Sequence, residues 1–235
     1  MTESREPLPP EALVDVPVFP LPGTVLMPRT IISLHVFEPR YRAMTADCIE
    51  GHRLMVVAML DPDGTPDHFG RPRVHSVGGL GALRRSARLP DGRYNIVVEG
   101  LHRVDISDEL DPGPPYRRAR ARVLEDVYPP DTAPLTAVMA SVRSLCTRAL
   151  TQSHPHDASE LDGLNQVVDP GHLADLVAAA AMTDALERQQ VLAEPDVEAR
   201  LNLVAGCLGA YLLSQTAATD GGEVSIGWGI TTGKA

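Results

Sequence analysis

Hydrophobic positions change period once along this chain. Before about residue 128 they alternate with polar ones or gather in short solid runs, as strands do; from about Thr132 they recur every three to four residues, as helices do. Residues 54–60, LMVVAML, form an unbroken apolar run and predict a buried central strand. Residues 77–89 predict a strand loosened by Gly78, Gly79 and Gly81, with a bulge or sharp bend there if the sheet closes on itself. Asp91-Gly92 has hairpin-turn chemistry. Beyond it Tyr94, Ile96 and Val98 alternate with Asn95, Val97 and Glu99 up to a break at Gly100, and a second strand stretch is expected at residues 104–106. In residues 118–123 three arginines alternate with Ala119, Ala121 and Val123, so the arginines share one face.

In the helical half, Leu135, Val138, Met139, Val142, Leu145, Cys146, Ala149 and Leu150 mark about four turns of helix. A short helix is expected within residues 157–169. Leu173, Leu176, Val177, Ala180 and Ala181 mark another, entered through Pro170-Gly171, and residues 184–193 a short one. Pro195 opens a long helix with the stripe Val197, Leu201, Val204, Leu208 and Tyr211, and with Asp196 and Glu198 in its first turn, where the helix dipole favours acids. Strands followed by helices, without alternation, predict an α+β protein. The expected division is 13–128 and 129–216, with the boundary at Tyr128-Pro129-Pro130. The polar, Pro-rich residues 1–12 and the Gly- and Thr-rich residues 217–235 are predicted to be disordered or flexible.

Residues 16–42 depart from both periods. Pro17, Pro20, Pro22 and Pro28 each fix φ, donate no N–H and push the preceding residue out of the helical region, which predicts extended segments of edge type. Pro22-Gly23 fits a type II turn that folds Val18-Phe19 back toward Val25-Leu26-Met27. Residues 31–37 then read as a strand. Glu38-Pro39 switches it abruptly into a helix over 39–50, because Pro suits the first helical position; Tyr41, Met44, Thr45, Cys48 and Ile49 give that helix its spacing, and Gly51 its stop. An i,i+4 ion pair between Glu38 and Arg42 is expected at its start.

FPLPGTVLMP followed by LHVFEPRYRAM resembles the opening of the Lon N-terminal domain family, the substrate-binding region that precedes Lon-type ATP-dependent proteases and also occurs alone. LPDGRYNIVVEGLHRV, PYRRARARV and LADLVAAA extend the resemblance over roughly residues 15–213. It implies a small, PUA-like, closed or nearly closed β-barrel followed by a helical bundle ending in a long C-terminal helix. It also implies a non-enzymatic polypeptide binder, adaptor or chaperone-like, acting on unfolded segments beside a separate ATP-dependent protease or chaperone. On that reading Phe19, Leu21, Pro22, Val25, Met27, Phe37 and Tyr41 are the candidate peptide-binding residues, set against the plainer reading that they build the barrel core.

Composition narrows the alternatives. The 235 residues are enough for a substantial core, and no apolar run reaches the roughly 18–20 residues that span a bilayer. MTESREPLPPE lacks the basic and apolar regions of a secretory signal, which predicts a cytoplasmic location. Cys48, Cys146 and Cys207 are widely spaced and fall in helical patterns, as buried thiols rather than disulfide or metal ligands. A net charge of -10 disfavours general affinity for nucleic acid or anionic membranes. Nearly all the excess acid lies beyond residue 125.

Candidate chemistry is sparse. A phosphate-binding loop needs G-x-x-x-x-G-K-[ST]; at the single Gly-Lys pair, Gly233-Lys234, Trp228 stands for the first Gly and Ala235 for the Ser or Thr. A Ser-Lys peptidase needs a lysine held beside the nucleophile, and the chain's one lysine is Lys234. Both patterns point away from an enzyme. His154-Pro155-His156-Asp157 and His172 lack a second group at ligand spacing, so no metal or other cofactor is expected. His35, without a nucleophile partner, suits a hydrogen-bonding role at the strand–helix junction. Arg84, Arg85, Arg88, Arg118, Arg120 and Arg122 support an alternative: a basic barrel face binding a small anionic ligand or nucleic acid. Stacking aromatics nearby are limited to Tyr94 and Tyr116. Glu99, Asp105 and Glu125 are placed to neutralise the arginines in a solvated face.

Overall fold

The structure, a computed structural model, describes residues 8, 10–67, 69–153 and 163–219. Most of the predicted N-terminal disordered segment, the histidine cluster at 154–157 and the tail carrying Trp228 and Lys234 lie outside the described residues. After a 3-10 turn at Pro10–Leu13 come β1 (Val16–Leu21), β2 (Ile31–Val36), α1 (Pro39–Glu50), β3 (Leu54–Met59), β4 (Val77–Arg88), β5 (Tyr94–Glu109) and β6 (Arg117–Val123). Four helices follow: α2 (Ala133–Ser153), α3 (Pro170–Ala181), α4 (Ala185–Ala193) and α5 (Val197–Thr219). Residues 163–166 are also helical.

The architecture is α+β, as the change of period predicts. The strand order is β2-β5-β4-β3-β1-β6, and β6 also pairs with β5, so the six-stranded sheet curls back on itself and is nearly closed. β5 makes this possible: its sixteen residues run unbroken through Gly100, where a break was expected, with a register shift in its pairing to β4 instead. Along one edge its first half pairs with β2 and its second half with β6, while β4 runs along the other. One apolar core lies under α1: Tyr41, Met44 and Cys48 pack with Phe19, Leu21, Met55, Val57 and Ile96. A second joins β1, β3, β4 and β6 through Val16, Val18, Val56, Leu80 and Ala119. The third is the helical bundle, in which Leu135, Val142, Leu173, Val177, Leu201, Val204 and Leu208 are buried. Tyr211, expected on the buried stripe of the last helix, packs only at its margin, and Leu212 takes the inner place.

Three local expectations are corrected. β1 is not an edge segment: it lies between β3, to which it is parallel, and β6, to which it is antiparallel. Its prolines are tolerated because the two ladders are staggered. β6 partners only Val16–Val18, and β3 only residues from Val18 onward. Pro17 and Pro20, three apart, turn their nitrogens to opposite sides, each toward the side where the ladder asks nothing of it.

Residues 24–27 do not pair with Val18-Phe19 either. The Pro22-Gly23 turn forms, with Gly23 at φ +62°, but the chain beyond it crosses a floor of glycines. A methyl group at Gly79 would overlap the Leu26 carbonyl oxygen, and one at Gly100 the Met27 carbonyl oxygen. Gly81, where β4 changes register, would likewise meet Leu26. The glycines therefore serve close backbone approach as well as curvature. Finally, Glu38 pairs with Arg40 at 2.8 Å and not with Arg42. Glu38 is the N-cap with extended backbone, φ −64° and ψ 135°; its carbonyl accepts the first helical bond from Arg42 N–H at 2.9 Å, while its side chain turns to Arg40.

Candidate functional site

The structure separates the seven candidate peptide-binding residues. Phe19, Leu21 and Met27 are fully enclosed and Tyr41 nearly so, with its ring 4.6 Å from that of Phe19. Val25 is half-buried. Pro22 and Phe37 reach the surface, Phe37 with 40% of its area. Enclosed side chains have no area to offer a partner, so the surface of this region is carried by β2 and its flanks.

β2 ends the strand order, so among the described residues no strand lies beside its second edge. Gly100 N–H donates to Thr30 O at 2.8 Å, and the ladder continues through Ile32↔Val98, Leu34↔Ile96 and Val36↔Tyr94. Hydrogen-bonded and non-bonded pairs alternate in an antiparallel ladder, so Ile31, Ser33 and His35 direct their N–H and C=O groups to the open edge. The side chains follow the same alternation. Leu34 and Val36 are buried, whereas Ile31 is 66% exposed and Ser33 is exposed. The strand IISLHV contains no proline, lysine or acid, the usual blunting devices of an edge. His35 is held against β5: its Nδ1 lies 2.7 Å from Asn95 Oδ1 and its Nε2 3.1 Å from Arg93 Nη1. With Nδ1 protonated, both contacts are satisfied, which fits an ordering role better than that of a base.

The six arginines do not form one face. Arg88 stands opposite Tyr94 and Arg122 opposite Asp105, eleven residues apart on β5, or up to roughly 35 Å of strand. Four of the six are paired with acids: Arg84 with Glu99 and Arg120 with Asp108 at 2.5 Å, Arg118 with Asp15 at 2.5 Å, and Arg122 with Asp105 at 2.7 Å. Hydrogen bonds from Ser107 and Arg122 lower the Asp105 carboxyl to about 2. Among the described residues no group of His, Cys, Asp and Glu is placed to hold a metal ion. Burial, reinforced by Asp47, pushes the Cys48 thiol up to about 12, and burial with Glu187 pushes Cys207 up to about 11, so neither supplies a thiolate at neutral pH.

The principal polar feature is one the sequence reading missed. At the seam between sheet and bundle, two cations and two anions are packed together. Arg103 of β5 donates through Nη1 to Asp126 and through Nη2 to Asp175 of α3 at 2.7 Å; its Nε reaches Leu192 O at 3.1 Å. Arg200 of α5, with no exposed surface, donates to both oxygens of Asp126 at 2.9 Å and to Glu194 O at 2.9 Å. Its Nε lies 3.4 Å from Asp175. Burial outweighs the two arginines and raises the Asp175 carboxyl to about 6. Asp169 caps α3, accepts from Tyr128 Oη at 2.9 Å and pairs with Arg29 at 3.8 Å, while Arg188 of α4 donates to Gly23 O at 3.1 Å. The seam borders a cavity of about 40 Å3, room for a few waters, and its ion pairs run between sheet and bundle. A signal was present in the sequence: Asp175 interrupts the otherwise apolar run LADLVAAAA, and Arg200 stands three residues after Val197 on the buried stripe.

The fold of a nearly closed sheet packed against a helical bundle is shared with solved proteins. The N-terminal domain of Lon protease from Mycobacterium avium complex superposes with a TM-score of 0.67 at 19% identity, over 83% of this chain and 98% of that one. A Lon N-terminal domain protein from Xanthomonas campestris gives 0.57 at 20% identity, over 82% of this chain and 98% of its own. In sequence, the chain is 30% identical to Lon protease 1 of Herpetosiphon aurantiacus over 80% of its length and to Lon protease 2 of Sorangium cellulosum over 89%. The chain spans only 23% and 26% of those relatives. The family model of the ATP-dependent protease La (LON) substrate-binding domain matches residues 15–209, and the chain belongs to that family.

Proposed function

We propose that this chain is a non-catalytic polypeptide-recognition module that takes up extended, apolar segments of unfolded proteins by adding them as a strand to the open edge of β2. The observation that carries the reading is that edge. Ile31, Ser33 and His35 turn their backbone groups outward, and exposed Ile31 and Phe37 supply apolar area at its two ends. Membership in a substrate-binding family supports it. A segment held in this way is extended and accessible, the form in which a separate ATP-dependent protease or chaperone would receive it.

Binding of a fluorescent apolar peptide, followed by anisotropy, tests the proposal. The expected result is saturable binding that weakens by roughly tenfold or more when alternate peptide nitrogens are methylated, since each methyl removes a donor from the new ladder. Ser33→Pro removes one outward N–H and is expected to act in the same direction, while Ser33→Ala leaves binding intact. Equal affinity for the methylated peptide overturns the strand-addition mode.

A further inference from the structure

The open edge of β2 has a counterpart in the sequence itself. Residues 224–231, VSIGWGIT, lie outside the described residues, but their pattern is that of a strand: Val224, Ile226, Trp228 and Ile230 alternate with Ser225, Gly227, Gly229 and Thr231. The run holds no proline and no charge, and the acids Asp220 and Glu223 precede it.

Parity fits this run to the edge. Ile31, Ser33 and His35 offer the outward backbone groups, so their partners in an added strand share one parity, and opposed residues share one face of the sheet. With Trp228 opposite Ser33, Val224 stands beside Phe37 and Ile230 beside Ile31, the two exposed apolar side chains at the ends of the strand. The small residues Ser225 and Gly227 then fall beside Val36 and Leu34, which are already buried and need no further cover. Charge selects the antiparallel direction. At the Val36 end Arg93 lies 3.1 Å from His35, Arg88 stands opposite Tyr94 and the Arg42 guanidinium packs over Gly92. With Arg40 they make four cations against Glu38 and Asp91, in a chain whose net charge is -10. An antiparallel strand brings Asp220 and Glu223 to that end; a parallel one would bring Lys234.

Reach identifies the donor. β2 leaves the seam at Arg29, which meets Asp169, and Phe37 lies up to about 26 Å along the chain from there. α5 leaves the seam at Arg200. Its Cys207 meets Glu187 of α4, whose neighbour Arg188 holds the Gly23 carbonyl, so α5 runs from the Arg29 side toward the Gly23 side. Thr219 is about 28 Å beyond Arg200 along that helix, and residues 220–223 bridge at most about 17 Å between Thr219 and Val224. A chain's own tail therefore falls short of Phe37, whereas a second copy can be placed wherever its tail reaches. A two-fold axis makes the exchange reciprocal.

We infer that the open edge of β2 is filled by residues 224–231 of a second copy of this chain, added as an antiparallel strand, so that two copies exchange tails. This deepens the reading of β2 as a polypeptide site: a captured segment displaces the partner's tail. That consequence rests on the reading; the exchange itself needs only the edge.

Trp228, the chain's single tryptophan, reports the pairing. The full chain is expected to sediment as a dimer with Trp228 shielded from acrylamide. Ile226→Pro removes an N–H that faces His35 in this register and alters none of the described residues. It is expected to give a monomer with Trp228 open to the quencher and with Ser33 and His35 amides exchanging roughly tenfold faster or more. With its edge free, this variant is also expected to bind the apolar peptide several-fold more tightly than the full chain does. Glu223→Lys is expected to weaken the dimer, an effect that high salt erases. A monomeric full chain overturns the proposal, as does a dimer that Ile226→Pro leaves intact; shielding of Trp228 in a monomer assigns the strand to the chain's own tail and overturns the exchange. Peptide capture by a monomeric full chain sinks the exchange alone; an exchanged dimer whose Ile226→Pro monomer captures no peptide sinks the uptake reading alone.

Discussion

The opening stretch and the charged seam end in the same place by opposite routes. Phe19, Leu21, Leu26 and Met27 are apolar and enter the interior because water rejects them; Arg103, Asp175 and Arg200 are charged and enter it as a set that half-buried Asp126 completes. An apolar side chain accepts any neighbour of the right size, so the opening stretch tolerates adjustment within its volume. An ion pair in the interior accepts only a partner at the right position and angle, because the desolvation of each charge must be offset by the others. The apolar cores hold each part together, and Met27, Val25 and Val77 carry one of them across the boundary; the seam adds partners that fit at only one position and angle.

The largest effect is expected from breaking the seam on one side. Asp126→Ala leaves two buried guanidinium groups facing Asp175 alone and is expected to destabilise the chain by about 3–5 kcal/mol, read from urea unfolding. A loss below about 1 kcal/mol would show that the seam is a consequence of docking and not its cause.

Next comes the pH dependence of Asp175. Its carboxyl is raised from 3.8 to about 6 by burial. The folded state therefore holds the proton more tightly than the unfolded one. The associated stability is present in full below about pH 4 and is lost as pH rises through about 6, by up to about 3 kcal/mol. Asp175→Asn is expected to flatten this decline, with the unfolding free energy measured between pH 4 and 7. An unchanged slope assigns the decline to other groups.

Glycine substitutions probe the apolar side of the comparison. Gly100→Ala forces the Met27 backbone off its floor and is expected to cost about 1–3 kcal/mol of overpacking. Gly206→Ala, in α5 with nothing within 4 Å of the added methyl, is expected to stabilise by about 0.5–1 kcal/mol. The opposite signs, read from thermal unfolding, separate close contact from helix propensity.

Much of this was written in local pattern. The switch from period two to period 3.6, the Pro39 helix start, the Gly23 turn and the alternation of Arg118, Arg120 and Arg122 against Ala119 and Ala121 all depend on residues within a few positions of each other. The family too was legible there, because residues 19–44 carry its turn and its strand-to-helix junction in one continuous stretch. The candidate site was less legible. Apolar residues of a proline-rich loop look alike whether a glycine floor receives them or water does, and that floor comes from residues some fifty to seventy-five positions away.

By itself the sequence determined the elements, their order and the α+β class, since each follows from propensity and spacing along the chain. Tertiary structure alone decided that β1 lies inside the sheet, that β2 is left bare, and that Arg103 meets Asp126, Asp175 and Arg200. Pairing and burial of that kind are relations between distant segments, and a charge shows that it is buried only when its partners are in place around it.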